Sequence, residues 1–215
     1  MIARRQAVFV LLTASVCLST SLDAQTVLSL EAGFAKSLQA TELPGSWSGV
    51  FRYGRPWHAR EWGIELGYAD LGTNHGAPAS TPAPGAVAGT SGQTAWHGGP
   101  VVALPLNQSR PRPTVYLGFQ FYRVELLIDS TFYDASGAPL SGFTVNTRRY
   151  GLGPSAAFTV LPAGSTRGTA LSLSLRLDVP VTFQSGGNGA KVHEGPMLNP
   201  WVTLLAGVRW RVKGS

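Results

Sequence analysis

The chain has a single cysteine in 215 residues, Cys17, and charged side chains make up only 13% of it. One thiol supports neither a disulfide framework nor a thiolate metal cluster. Soluble domains carry about 25% charge, so the deficit implies that much of the surface is spared contact with water. No apolar run reaches the ~20 residues that a membrane-spanning helix needs. The run AVFVLL, beginning at Ala7 and continuing to Leu18, is too short; it follows Arg4 and Arg5 and gives way to small and polar residues up to Ala24. That order is a secretory signal, with cleavage expected after Ala24. Residues 1–24 are therefore expected to be removed and residues 25–215 to form one domain. Cys17 follows Val16, where lipoprotein processing needs a small residue, so no lipid anchor is expected. Losing Arg4, Arg5 and Asp23 lowers the formal charge from +6 to +5, and the remaining bases are dispersed. No nucleic acid is expected as a partner.

Glycine (26) and proline (15) are abundant, and between them lie eight stretches that alternate apolar with small or polar residues. The clearest is LSLSLRLDV at 171–179, with Leu171, Leu173, Leu175, Leu177 and Val179 on one face and Ser172, Ser174, Arg176 and Asp178 on the other. A period of two is a strand's period. The other strands are expected at 26–36, 46–53, 61–71, 94–104, 114–123, 147–160 and about 200–212. The connections alternate short and long: Gly54-Arg55-Pro56 reads as a turn, whereas 72–92, 124–146 and 184–198 read as surface loops. Apolar outside, small or polar inside, with tight turns on one side and long loops on the other, is the pattern of a closed barrel in an outer membrane. The expected architecture is an all-β, eight-stranded antiparallel up-and-down transmembrane β-barrel. Its expected location is the bacterial outer membrane, with membrane lipids as partners.

The alternation also sorts the charges. Glu31, Arg52, Glu61, Glu65, Arg149, Arg176, Asp178, Arg209 and Arg211 fall on the inward side. Eight strands enclose a bore just wide enough for side chains to fill, and opposite charges held there must pair, because an unpaired buried charge costs several kcal/mol. These residues are expected to form a structural salt-bridged plug; a narrow gated pore would need the same charges to rearrange. Outward Trp47, Trp62, Tyr68, Trp96 and Trp210 suit interfacial girdles. The facing of the fourth strand is undecided, and Pro100 and Pro154 stand inside expected strands, although proline cannot donate to a ladder. Of the four histidines, none pairs with another at metal-ligand spacing within one element, and none sits in a local Ser/His/Asp grouping. His97 and the loop pair His193-Glu194 are read as solvated or structural. No cofactor or metal is expected.

Taken together, the signal peptide, WGIELGYADLG at 62–72, TVYLGFQFY at 114–122 and the ending VTLLAGVRWRV at 202–212 resemble the OmpA-like family of small outer-membrane barrels. The resemblance covers about 26–212. Gly207 followed by Trp210 and Val212 is similar to the barrel-assembly signal of such proteins, which implies the barrel-assembly machinery as a partner. Leu205 departs from that signal, which usually has a polar residue there, and Lys213-Gly214-Ser215 run beyond its usual aromatic end. The resemblance implies a family of folds and not one activity; the absence of a catalytic constellation beside so strong a barrel pattern points to a porin-like, non-enzymatic membrane protein with a structural role and surface loops open to an unidentified ligand. A lipid-modifying enzyme acting on lipid A acyl chains is the alternative, and no histidine stands in the His-x-Ser-Asn pattern of the deacylases.

Overall fold

The computed structural model describes residues 26–40, 43–57, 60–75, 87–107, 112–133, 139–161, 168–187 and 195–212. The expected signal peptide, His58 and His193 lie outside them. Ten β segments follow one another: β1 (Thr26–Ser37), β2 (Ser46–Trp57), β3 (Arg60–His75), β4 (Val87–Pro105), β5 (Arg112–Tyr133), β6 (Pro139–Leu161), β7 (Thr169–Asp178), β8 (Val181–Gly187), β9 (Met197–Leu198) and β10 (Trp201–Val212). Each of β1 to β6 pairs antiparallel with the next, β6 pairs with both β7 and β8, and β10 pairs with β7 on one side and β1 on the other. The sheet closes. β8 continues the line of β7 against β6, and β9 continues the line of β10, so the ten segments make eight staves of an up-and-down barrel.

Closure is what lets the alternating pattern work, since a sheet closed on itself presents no edge row of unpaired backbone groups. Along β7 the leucines stand 41–63% exposed while Ser172, Ser174, Arg176 and Asp178 are at most 4% exposed. The same inversion, apolar outside and polar inside, runs round the wall: Leu30, Phe34, Trp47, Phe51, Trp62, Ile64, Leu66, Phe119, Phe121, Phe158 and Leu204 are all exposed. Trp47, Tyr68 and Trp96 stack side by side on β2, β3 and β4 with centroids 4.7 Å apart at each step. We call the rim where β1 begins and β10 ends the near rim, and the rim at Ser37 and Trp201 the far rim.

Several expected boundaries move. The segments 72–92 and 124–146 contain strand: β3 runs to His75, β4 begins at Val87, and β5 and β6 pair from Arg112↔Leu161 out to Tyr133↔Pro139. The ladder there outruns the apolar belt, so the hydrophobic alternation that marks a strand in sequence fades while the pairing continues. Gly54, Arg55 and Pro56 are also strand, paired with Gly63, Trp62 and Glu61. At the far end of the last expected loop, Met197–Leu198 pairs with β8.

The prolines sit where the ladder has gaps. Between Gly98↔Phe121 and Val101↔Gly118, the Gly99-Pro100 step of β4 makes no ladder pair with β5, and Pro100 points outward. Pro154 faces the break between β7 and β8 at Val179-Pro180, and Pro200 lies in the break between β9 and β10. Single bonds bridge the breaks: Val179 N–H donates to Pro154 O (3.1 Å), Asn199 N–H to Pro180 O (3.1 Å) and Leu38 N–H to Pro200 O (2.9 Å). The missing proline donors thus fall where no neighbour needs them.

Candidate functional site

The bore is the site that the fold builds from inward-facing side chains. At its centre Arg52 of β2 donates from Nη1 to Glu31 Oε2 and from Nε to Glu65 Oε2, both at 2.6 Å. Arg176 of β7 grips Asp178 through two bonds of 2.6 Å, from Nε to Oδ2 and from Nη2 to Oδ1, and its Nη1 donates to Glu65 Oε1. Glu65 therefore links the two guanidiniums. Tyr122 Oη donates to Asp178 Oδ1 (2.8 Å), Ser174 Oγ to Glu31 Oε1 (3.0 Å), and Thr159 Oγ1 joins Ser174 Oγ at 2.7 Å. His97 Nδ1 lies 3.3 Å from Arg176 Nη2 and 3.8 Å from Glu65 Oε1. Forked guanidinium–carboxylate contacts of this kind are the strongest and most directional available to side chains. They offset the cost of holding charges away from water.

Toward the near rim a second ion pair closes the bore. Arg209 of β10 donates to Glu61 Oε2 and, from Nη1, to Tyr116 Oη (2.7 Å). The Arg52 guanidinium carbon lies 4.6 Å from the centroid of the same Tyr116 ring, so one aromatic separates the two ionic layers. Toward the far rim the filling turns apolar: Ala35, Leu43, Ala69, Leu71, Ala95, Tyr122, Val124 and Trp201 form one buried cluster, with Trp201 edge-on to Tyr122 at 5.4 Å. Leu43 reaches in from the connection between β1 and β2. Gly45 and Gly72, at φ of 81° and 94°, let that connection turn inward, and a Cβ on Gly72 would lie 2.8 Å from Gly45 N.

Small inward residues make this filling possible. A Cβ on Gly67 would lie 2.1 Å from His97 Nε2, so the imidazole occupies the space that a side chain at 67 would need. Gly54 and Gly118 likewise leave room for polar side chains, since a Cβ would lie 2.6 Å from Glu61 Oε1 and 2.4 Å from Gln120 Nε2, whereas at Gly33, Gly63, Gly151 and Gly207 it would meet the backbone of the neighbouring stave.

Glu31, Arg52, Glu65, Arg176 and Asp178 therefore meet in one network, and Glu61 with Arg209 in another. Arg149 is buried but joins neither: its guanidinium donates to Thr182 Oγ1 (3.2 Å), Thr182 O (3.0 Å) and Gly195 O (2.9 Å) beyond the central layer. Arg211, expected inward, is exposed at the near rim, because the last residues of β10 run out to the mouth of the bore. Gly207 faces inward, while Trp210 and Val212 are exposed on the outer wall. His97, Tyr116, Ser174 and Thr159 belong to the network although the sequence did not mark them as its members. The signal for Tyr116 and Ser174 was their inward parity; for His97 it was hidden by Pro100, which blurred the facing of β4. His97 is 5% exposed, so of the two readings given to it the solvated one falls away. Leu43 had no signal, since a single leucine in a connection has no period. Among the described residues no group of three or more His, Cys, Asp or Glu is arranged to hold a metal.

No protein-family model matches the chain, and no curated protein matches it. Among solved structures it is similar to Neisserial surface protein A, at 14% identity and a TM-score of 0.49, over 87% of this chain and 97% of that one. It is also similar to a major outer membrane protein from Thermus thermophilus, at 12% identity and a TM-score of 0.48, over 88% and 99%. A third is Ail, the attachment invasion locus protein of Yersinia pestis, at 12% identity and a TM-score of 0.44, over 88% and 99%. At these values the likeness is one of architecture, and the closed eight-stave topology rests on the strand pairing described above.

Proposed function

We propose that the chain is a bacterial outer-membrane β-barrel of the OmpA-like kind, non-enzymatic, whose sealed bore gives it a structural role and whose surface connections are free to bind a ligand. The observation that carries this reading is the inversion of the wall, with leucines and aromatics exposed all round while ionic side chains are buried within. A water-soluble barrel would place the same leucines inside. Hydrocarbon is the solvent that makes an exposed aliphatic belt favourable, at roughly 25 cal/mol per Å² shielded from water. The stacked Trp47, Tyr68 and Trp96 suit the headgroup level on the far side. Trp62 and Trp210, exposed nearer the start of β1, suit the other. Gly207, Trp210 and Val212 serve in this reading as the signal read by the barrel-assembly machinery.

The test is fractionation of expressing bacteria, followed by gel migration with and without boiling. The expected outcome is recovery in the outer membrane, extraction only with detergent, and a band that shifts on heating. Recovery in the aqueous fraction without detergent overturns the reading. Two further measurements separate the alternatives. Planar-bilayer recordings are expected to show no steady conductance, and steps that vanish in Arg176→Ala would replace the plug with a gated path. Mass spectrometry of lipid A with and without expression is expected to show one acyl pattern, and a changed acyl count would make the protein an enzyme.

A further inference from the structure

The outer wall carries a groove of about 440 Å³ lined by Leu38, Ala156, Phe158, Leu175, Leu177 and Val202 among others, on the contiguous staves β5, β6, β7 and β10. Leu38, Phe158, Leu175 and Leu177 are each 41–55% exposed on the outside of the barrel. The floor is low because Ala156 stands between Pro154 and the bulkier Phe158 on the outward row of β6. Beside the groove, Lys36 projects outward from β1 directly opposite Val202 of β10, and opposed residues on adjacent strands bring their Cβ atoms within about 5.5 Å. Along β1, β7 and β10 the outward rows are otherwise uncharged: Leu28, Leu30, Ala32 and Phe34; the four leucines of β7; and Val202, Leu204, Ala206, Val208, Trp210 and Val212. Among the described residues of these rows Lys36 is the single cation, one outward step from the far rim.

We infer that this groove is a specific site for one lipid of the outer leaflet, its acyl chain lying between Ala156 and Leu38 and its anionic phosphate held by Lys36. The apolar lining selects hydrocarbon and offers nothing to a polar ligand. The cation at one end supplies the charge complementarity that a phosphate headgroup requires, and its long aliphatic stem lets the ammonium reach the headgroup plane while the stem lies on apolar surface. The inference rests on the membrane reading above.

The experiment embeds the full chain in phosphatidylcholine nanodiscs doped with either phosphatidic acid or diacylglycerol, which share acyl chains and differ in phosphate. After release into mild detergent, native mass spectrometry counts the doped lipid retained. Wild type is expected to retain phosphatidic acid roughly fivefold over diacylglycerol, the discrimination that one basic residue at a membrane surface provides. Lys36→Gln is expected to bring phosphatidic acid down to the diacylglycerol level, and Ala156→Trp, which fills the groove from outside, to lower retention of both lipids. Equal retention of the two lipids by wild type, or retention unchanged by Lys36→Gln, overturns the site. If Ala156→Trp lacks the heat-dependent gel shift of a folded barrel, Lys36→Gln alone decides. A wild-type chain that never enters the nanodisc overturns the membrane reading itself, whereas an embedded chain without selective retention overturns only the lipid site.

Discussion

Arg176 is the residue on which the bore depends most, because it touches Asp178, Glu65 and His97 at once. Replacing it with alanine leaves Asp178 without its guanidinium and Glu65 with Arg52 alone, both carboxylates being 0% exposed. Breaking one side of such a pair costs about 3–5 kcal/mol. Arg176→Ala is therefore expected to shift urea unfolding in detergent micelles, followed by tryptophan fluorescence, to a much lower midpoint. Arg211→Ala, at the exposed near rim, is expected to leave the midpoint in place. Gly207→Ala is expected to destabilise the barrel for a reason separate from any assembly signal, since its Cβ would lie 2.1 Å from Leu30 O and 2.6 Å from Glu31 Cα. The onset temperature of the gel shift should fall. Trp210→Ala, facing out, separates the two roles: refolding of purified protein into detergent should persist while the amount reaching the outer membrane of cells drops. At this scale the sequence was informative about direction and silent about partner. Period-two alternation placed Glu31, Arg52, Glu65 and Arg176 inside, but which carboxylate meets which guanidinium depends on the register of staves distant in the chain, and no local pattern records that.

Among the elements, the connection from β1 to β2 and the pair β5–β6 depart furthest from what their composition suggests. Leu43 is 2% exposed among Leu71, Tyr122 and Trp201, so a connection supplies part of the core. Leu43→Ala is expected to cost about 2–5 kcal/mol, as buried leucine truncations do, read as a lower unfolding midpoint. Planar-bilayer recordings of the same variant should remain silent, because the ionic layer beneath is untouched. β5 and β6 were legible only up to Arg123 and from Thr147, where hydrophobic alternation is clean; beyond those points the ladder continues through Leu126↔Thr147 and Ile128↔Val145 in a mixture of polar and apolar residues that reads as a connection. The prolines misled in the opposite sense. Pro154 looked incompatible with a closed wall, yet it faces the one place, Val179-Pro180, where its neighbouring stave is itself interrupted.

For the whole molecule, eight staves and their order followed from counting alternating segments and alternating connection lengths, which is why the global architecture was readable while the ends of single strands were not. The closed wall and the filled bore have a joint physical signature. The ionic pairs of the bore are almost fully shielded, and salt screens such pairs far less than surface ones. Raising sodium chloride from about 0.1 to 1 M is therefore expected to leave the unfolding midpoint of the micelle-bound barrel nearly unchanged. A large downward shift would mean that water and ions reach Glu65 and Arg176. The inward turn at Gly45 and Gly72 also bears on where foreign sequence can be spliced. An epitope grafted between Ala40 and Leu43 would pull the leucine stopper out of the far mouth, so that site should tolerate insertions poorly. Between Tyr133 and Pro139, where the β5–β6 ladder ends, a displayed peptide is expected to leave the rest of the molecule undisturbed.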